Sequence, residues 1–323
     1  MAFQEGTANS MFDFLDKFVT FCGASIAGLS DFGTINVNAT FHSVSSMPAR
    51  VLTNGSIYWV MYVGNKYSGS SDDTIYGRMI YTEPTNGMVF DNDTPSDGQD
   101  GFTIIGKGRS PDSLTANYYF FAEDESAAAV LEFYDDTFTH MSLGTATKYA
   151  SNEGGEFITG NNLTVNSPPY PTLSDGWAYI FKDGTRDSSS VSGGFVRNDQ
   201  NAIASSDFAS LSQGSANGVV YFDYKQRLTG SSGDDGYYNH VFHNGYSSAT
   251  QRRALLPVIF NFLSPGDGVW RQIGNVPCAR LCRTDGLAPK QIIDGNWQVF
   301  PLAGYDSNLC HDTGLIGLAY KRA

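Results

Sequence analysis

Between residues 57 and 135 short apolar runs alternate with turn-forming clusters. IYWVMYV (57–63), GRMIYTE (77–83), GFTIIG (101–106), NYYFFAE (117–123) and AVLEFYD (129–135) are divided by GNKYSGSSDD, DNDTPSDGQDG and GRSPDS. Runs of this length are too short for stable helices, and their aromatic and β-branched residues suit a pleated surface. Gly, Asp, Asn and Ser between them reverse the chain by supplying positive φ or by bonding their own backbone. The spacing predicts a mainly β fold: an antiparallel β-sandwich or barrel-like core with a short N-terminal helix and long loops.

The helix is the exception to the pattern. In SMFDFLDKFVTFC, Phe14, Phe18 and Cys22 recur four residues apart, Met11, Leu15 and Phe21 flank them, and Ser10 with Asp13 forms a capping pair. This predicts one amphipathic helix over 11–22, within an N-terminal helical arm spanning 1–30. Its Phe-rich face must dock, either on its own sheet or on an adjacent subunit. The remainder, 31–323, reads as one β-rich domain with loop-rich excursions within 151–250. Candidate strands there are WAYIFK (177–182) and GVVYFDY (218–224). Further on, Pro257 in RRALLPVIFNFL (252–263) argues for an edge strand or two short pieces around the proline. RQIGNV (271–276), QVFPL (298–302) and GLIGLAYK (314–321) complete the series.

Charge separates the two ends of the chain. Residues 1–250 carry 12 Lys/Arg against 28 Asp/Glu, whereas 251–323 carry 8 against 5. No basic stripe with interleaved aromatics supports direct nucleic-acid binding, and no apolar run is long enough to cross a membrane. The opening MAFQEGTANS lacks the basic start and apolar core of a signal peptide. Charged residues are only 16% of the chain, so Ser, Thr, Asn and Gly must supply most of the polar surface.

Candidate chemistry is thin. His240 and His243 would fall on opposite faces of a strand. Cys278, Cys282, Cys310 and His311 invite a zinc reading, but the adjacent last pair is awkward for tetrahedral ligation, and buried free thiols are the simpler account. Four aspartates in 91–101 lack the glutamate that closes a calcium loop. The acidic pairs, such as Glu123/Glu125, sit mostly in turns. Trp59, Trp177, Trp270 and Trp297 have the shape to stack on sugars, although placement within strands favours core packing. Phosphate-loop, dinucleotide, nucleophile-elbow and zinc-protease motifs do not occur, and no cofactor is implied.

The densest cluster of reactive types is TFTHMSLGTATKYASNEGGEF (137–157), with His140, Lys148 and Glu156. Alternation puts Phe138, His140 and Ser142 on one strand face and Thr139, Met141 and Leu143 on the other. His140 then reads as a hydrogen-bonding residue beside a turn at Gly144, with Gly154 and Gly155 turning the chain before Phe157. Together with 117–136 this segment resembles a family of tailed-bacteriophage virion proteins. The resemblance lies in an aromatic-x-His-hydrophobic-x-hydrophobic-Gly phrase (Phe138, His140, Met141, Leu143, Gly144), a Lys-aromatic step (Lys148, Tyr149) and Gly-Gly-x-Phe (Gly154, Gly155, Phe157). GTANSMFDFLDKFVTF and LLPVIFNFLSPGDGVWRQIGNV, the latter containing Pro257, are similar to its opening and later segments. The resemblance implies a non-enzymatic virion protein, made in the host cytoplasm. It implies a homo-oligomer closed as a cyclic ring that contacts other virion structural proteins. The head–tail neck or collar is the first station it implies. A tail tip or baseplate, a capsid decoration protein, or a receptor- or carbohydrate-binding module are the alternatives.

Overall fold

The computed structural model describes residues 1–39, 44–64, 74–90, 101–107, 116–134, 137–149, 154–160, 194–197, 208–210, 219–220, 246–247, 252–253, 255–263, 270–284, 286–301 and 316–323. The architecture is mainly β with a short helix and a partially curled sheet. The expected strand at 177–182, together with His42, His240, His243, Cys310, His311, Trp177 and the aspartates of 91–100, lies outside the described residues.

Three sheets carry the fold. The first runs in the order β1 (Ala2–Ala8), β8 (Ala116–Glu123), β9 (Ser126–Tyr134), β10 (Thr137–Thr145), β12 (Glu156–Gly160), β13 (Gly194–Arg197), β14 (Phe208–Ser210). The second is β6 (Met88–Phe90), β2 (Ser30–Ala39), β3 (Val44–Thr53), β4 (Tyr58–Gly64), β5 (Thr74–Ile80), β7 (Gly101–Lys107). The third is β15 (Val219–Val220), β18 (Leu256–Leu263), β19 (Trp270–Arg283), β22 (Ile316–Lys321), β21 (Trp297–Pro301), β20 (Ile292–Ile293), with β11 (Thr147–Lys148) also against β19. A small pair, β16 (Tyr246–Ser247) and β17 (Arg252–Arg253), stands apart. Neighbouring strands are antiparallel except β2 and β6.

The helix α1 (Met11–Ser25) extends three residues beyond the expected 11–22. Ser10 Oγ accepts the Asp13 N–H at 3.0 Å, and Asp13 Oδ2 accepts the Asn9 N–H at 2.8 Å. Its Phe-rich face docks on the chain's own sheets. Phe14, Phe18 and Phe21 gather around Phe120 of β8 with ring centroids 5.5, 5.2 and 5.5 Å away. Phe14 and Phe18 are therefore buried core residues. β1, which composition did not reveal, pairs with β8 along its whole length. Residues 1–30 are thus built into the same core as Leu52, Trp59 and Met79 of the second sheet.

In β8, β9, β10 and β12 the first sheet packs against a core on each face. Tyr118, Phe120, Ala127, Ala129, Leu131, Met141, Leu143 and Ile158 face α1 and the second sheet. Phe121, Ala128, Val130, Phe138 and Phe157 face Val258, Phe260, Cys278, Phe300, Leu318 and Tyr320 of the third. This is why AAAVL (127–131) in β9 is apolar without alternation: each residue meets a core. Trp59 of β4 is wholly buried and donates Nε1–H to the Phe157 carbonyl at 2.9 Å, tying second sheet to first.

The proline neither marks an edge strand nor separates two pieces: it lies inside β18, which has β15 on one side and β19 on the other. Pro257 is the second residue of β18, next to an irregularity in its pairing with β19. β15 reaches only Asn261 and Phe262 on the opposite side of β18, so at Pro257 that side needs no amide donor among the described residues. In β19 the strand bulges at Pro277–Ala279, and Arg280 Nη1 donates to the Val276, Pro277 and Ala279 carbonyls at 3.1, 3.0 and 2.7 Å. Nη1 carries two hydrogens, so the three carbonyls share them through a bifurcated contact.

Candidate functional site

β10 alternates as its sequence predicts. Phe138 and His140 point to the third sheet, where Phe138 meets Phe300 edge-on at 5.2 Å, while Met141 and Leu143 join the opposite core. His140 Nδ1 lies 3.0 Å from the Tyr320 hydroxyl and so links β10 to β22. Ser142 Oγ donates to the Ala127 carbonyl at 2.7 Å.

Burial pushes the His140 imidazole down to about 3, against a smaller opposing contribution from the Pro301 backbone. A base poised near neutrality needs a pKa several units higher. The consequence for stability has a definite sign. Between the ordinary value of 6.5 and about 3, the unfolded chain binds a proton at His140 that the folded chain refuses. Stability is therefore whole above the unfolded value and falls as pH drops through that window, at about 1.4 kcal/mol per pH unit. Replacing His140 with Gln is expected to remove that slope, so that the wild-type-minus-variant difference in unfolding free energy changes by about 2 kcal/mol between pH 6.5 and 5. Urea titrations at stepped pH measure it; parallel profiles for the two proteins would reject the assignment.

Beyond His140 the chain turns a corner between sheets. Gly144 has φ 128°, in the region that favours glycine. It faces Ser126 across β9, and a Cβ there would sit 2.2 Å from the Glu125 carbonyl oxygen and 2.6 Å from Ser126 Cα. The Glu125 carbonyl accepts the Thr145 N–H at 2.8 Å, and the Gly155 carbonyl accepts that of Ala146 at 2.9 Å. The chain then leaves the first sheet as β11, pairs Thr147 and Lys148 with Asn275 and Gly274, and is held once more where the Tyr149 N–H donates to the Ile273 carbonyl. It returns through Gly154 and Gly155, at φ 89° and 92°, to bury Phe157 against Phe260 at 5.1 Å.

The reactive types of 137–157 thus have separate duties. His140 is in the core, Lys148 is exposed, and Glu156 is buried with Arg197 Nη1 3.5 Å from its Oε1. Cys278 and Cys282 are buried in different clusters. Cys278 takes a bond from Ser126 Oγ at 3.5 Å, and burial pushes its thiol up to about 12. Among the described residues no group of three or more His, Cys, Asp or Glu is placed to hold a metal ion.

One polar cluster escaped sequence reading. Glu132 of β9 is buried between the first and third sheets; its Oε2 accepts from Asn117 Nδ2 at 3.2 Å and Tyr119 Oη at 3.1 Å, and its Oε1 from Lys290 Nζ at 2.7 Å. The signal was a lone glutamate inside AVLEFYD, since a buried carboxylate is retained only with partners. A second is Arg50 of β3, bridging Asp16 of α1 and Asp31 of β2, the latter at 2.6 Å.

Neither the scan against protein-family models nor the search of curated proteins finds a match to this chain.

Proposed function

We propose that this chain is a non-enzymatic structural component of a tailed-phage particle, assembled in many copies as a cyclic ring at the head–tail neck or collar. The observation that carries the reading is the 117–157 segment. Its phrase resembles virion proteins of that class, and its His140 and Glu156 are tied to Tyr320 and Arg197 within the fold. In this reading the three sheets form an antiparallel β-sandwich core, and the ring contacts other virion proteins through its loops. Head-to-tail association is one use for the charge difference between 1–250 and 251–323, and a separate partner is another.

Native mass spectrometry of purified chain and a particle reconstruction test this together. A closed cyclic oligomer and density for the chain on the neck axis are expected. Density at the tail tip, baseplate or capsid exterior would move the station to those alternatives. A stable monomer with no place in particles would overturn the reading.

A further inference from the structure

The outer strands of the sheets differ sharply. β6, β14, β15 and β20 are two or three residues long, and β7 runs over β10, β12 and β13. β1 is different: seven residues, unbroken pairing with β8 on one side, and no strand on the other among the described residues. An edge of this length is ordinarily blunted by proline, lysine or a bulge, because its backbone is a template for another strand. AFQEGTA has none of these, and its only charge is Glu5. Lys17 Nζ donates to the Thr7 carbonyl at 2.9 Å and closes the far end, which leaves Ala2–Gly6.

The charges beside this edge say what fits it. Asn296 grips the Arg322 backbone from both sides, accepting its N–H at 2.7 Å and donating Nδ2–H to its carbonyl at 3.1 Å. The Arg322 guanidinium lies 3.9 Å from the Phe3 ring centroid, and its Nη2 lies 3.9 Å from Glu5 Oε2 on a largely exposed side chain. Phe3 and Glu5 are two residues apart and share a strand face. An antiparallel copy of β1 with its two-fold axis at Gln4 sets Phe3 opposite Glu5 of the second copy. Each Arg322, seated over Phe3, then meets the other copy's Glu5. The charges cross and complement, Gln4 faces Gln4, and Ala2 faces Gly6 without a steric conflict between the small side chains.

We propose that the outer edge of β1 docks a second copy of this chain antiparallel, in the register Phe3 opposite Glu5, joining two first sheets into one. The contact is isologous and closes at two chains. It does not rest on the ring reading.

Sedimentation velocity over a concentration series of the full chain tests it. A concentration-dependent step that joins chains two by two, with or without the ring, is expected for wild type. Glu5→Arg and Arg322→Glu should each weaken it about 10-fold, the effect of removing two exposed ion pairs and opposing like charges. An equimolar mixture of these two variants should recover the dimer, because only the mixed pair restores both crossed contacts while leaving each chain's internal Glu5–Arg322 pairing broken. Gln4→Cys should cross-link to a covalent dimer on mild oxidation. A wild type that stays monomeric throughout, a dimer indifferent to both charge reversals, or a mixture no tighter than its components would each overturn the proposal. Should a charge reversal fail to fold by circular dichroism, Glu5→Gln replaces Glu5→Arg, and an unchanged dimer constant overturns it equally. Loss of the ring with an intact dimer would count against the ring reading alone.

Discussion

Replacing Gly144 with alanine is expected to cost about 3 kcal/mol or more of folding stability, read as a shifted denaturant midpoint. Two effects add at this position. A positive φ of 128° strains any residue with a Cβ. That Cβ would also meet the Glu125 carbonyl at 2.2 Å, and the obstacle is backbone rather than the far end of a flexible side chain. Relief requires β9 and β10 to part, which also stretches the bond from the Thr145 N–H to the Glu125 carbonyl. The neighbouring Gly155→Ala provides a control. Its φ of 92° is strained as well, but its nearest neighbours are the Lys148 stem at 3.4 Å and Ile273 at 3.5 Å. It should cost clearly less. Equal losses at the two sites would show that φ alone matters and that the close approach of β9 does not.

Phe120→Ala is expected to cost about 3–5 kcal/mol, the range for deleting a fully buried aromatic ring. Phe120 is wholly buried and is the ring on which Phe14, Phe18, Phe21 and Tyr118 converge, the last at 4.2 Å and nearly parallel. Its removal leaves a cavity between α1 and the first sheet that the helix cannot fill without losing its bonded start at Ser10. The same geometry predicts that Phe14→Ala lowers the unfolding free energy of the single chain. Chemical denaturation below any association threshold measures both. A Phe14→Ala chain with undiminished stability but impaired assembly would mean that α1 exchanges its own sheet for a neighbour's.

How much of this was legible beforehand differs from element to element. β10 was readable to the side chain, because a strand between two apolar layers has only two faces and TFTHMSLG assigns them. The helix start was readable because Ser10 and Asp13 act within one turn. β1 was not, since AFQEGTA is neither strongly apolar nor alternating and becomes a strand only because β8 lies beside it. Glu132 and Arg50 were missed as bridging residues for the same reason: Lys290 is 158 residues from Glu132, and no local pattern records such a partner.

Sequence by itself determined the mainly β character, the capped amphipathic helix and the in-out order of the 137–143 strand, all of which follow from period and propensity over a few residues. It also placed glycines where positive φ was needed. Tertiary structure alone decided which surface received the Phe-rich helix, that β10 leaves one sheet to join another through β11, and that His140 is a neutral cross-sheet link to Tyr320. Those outcomes depend on burial and on contacts between residues up to 180 apart, and desolvation has no counterpart in a linear pattern.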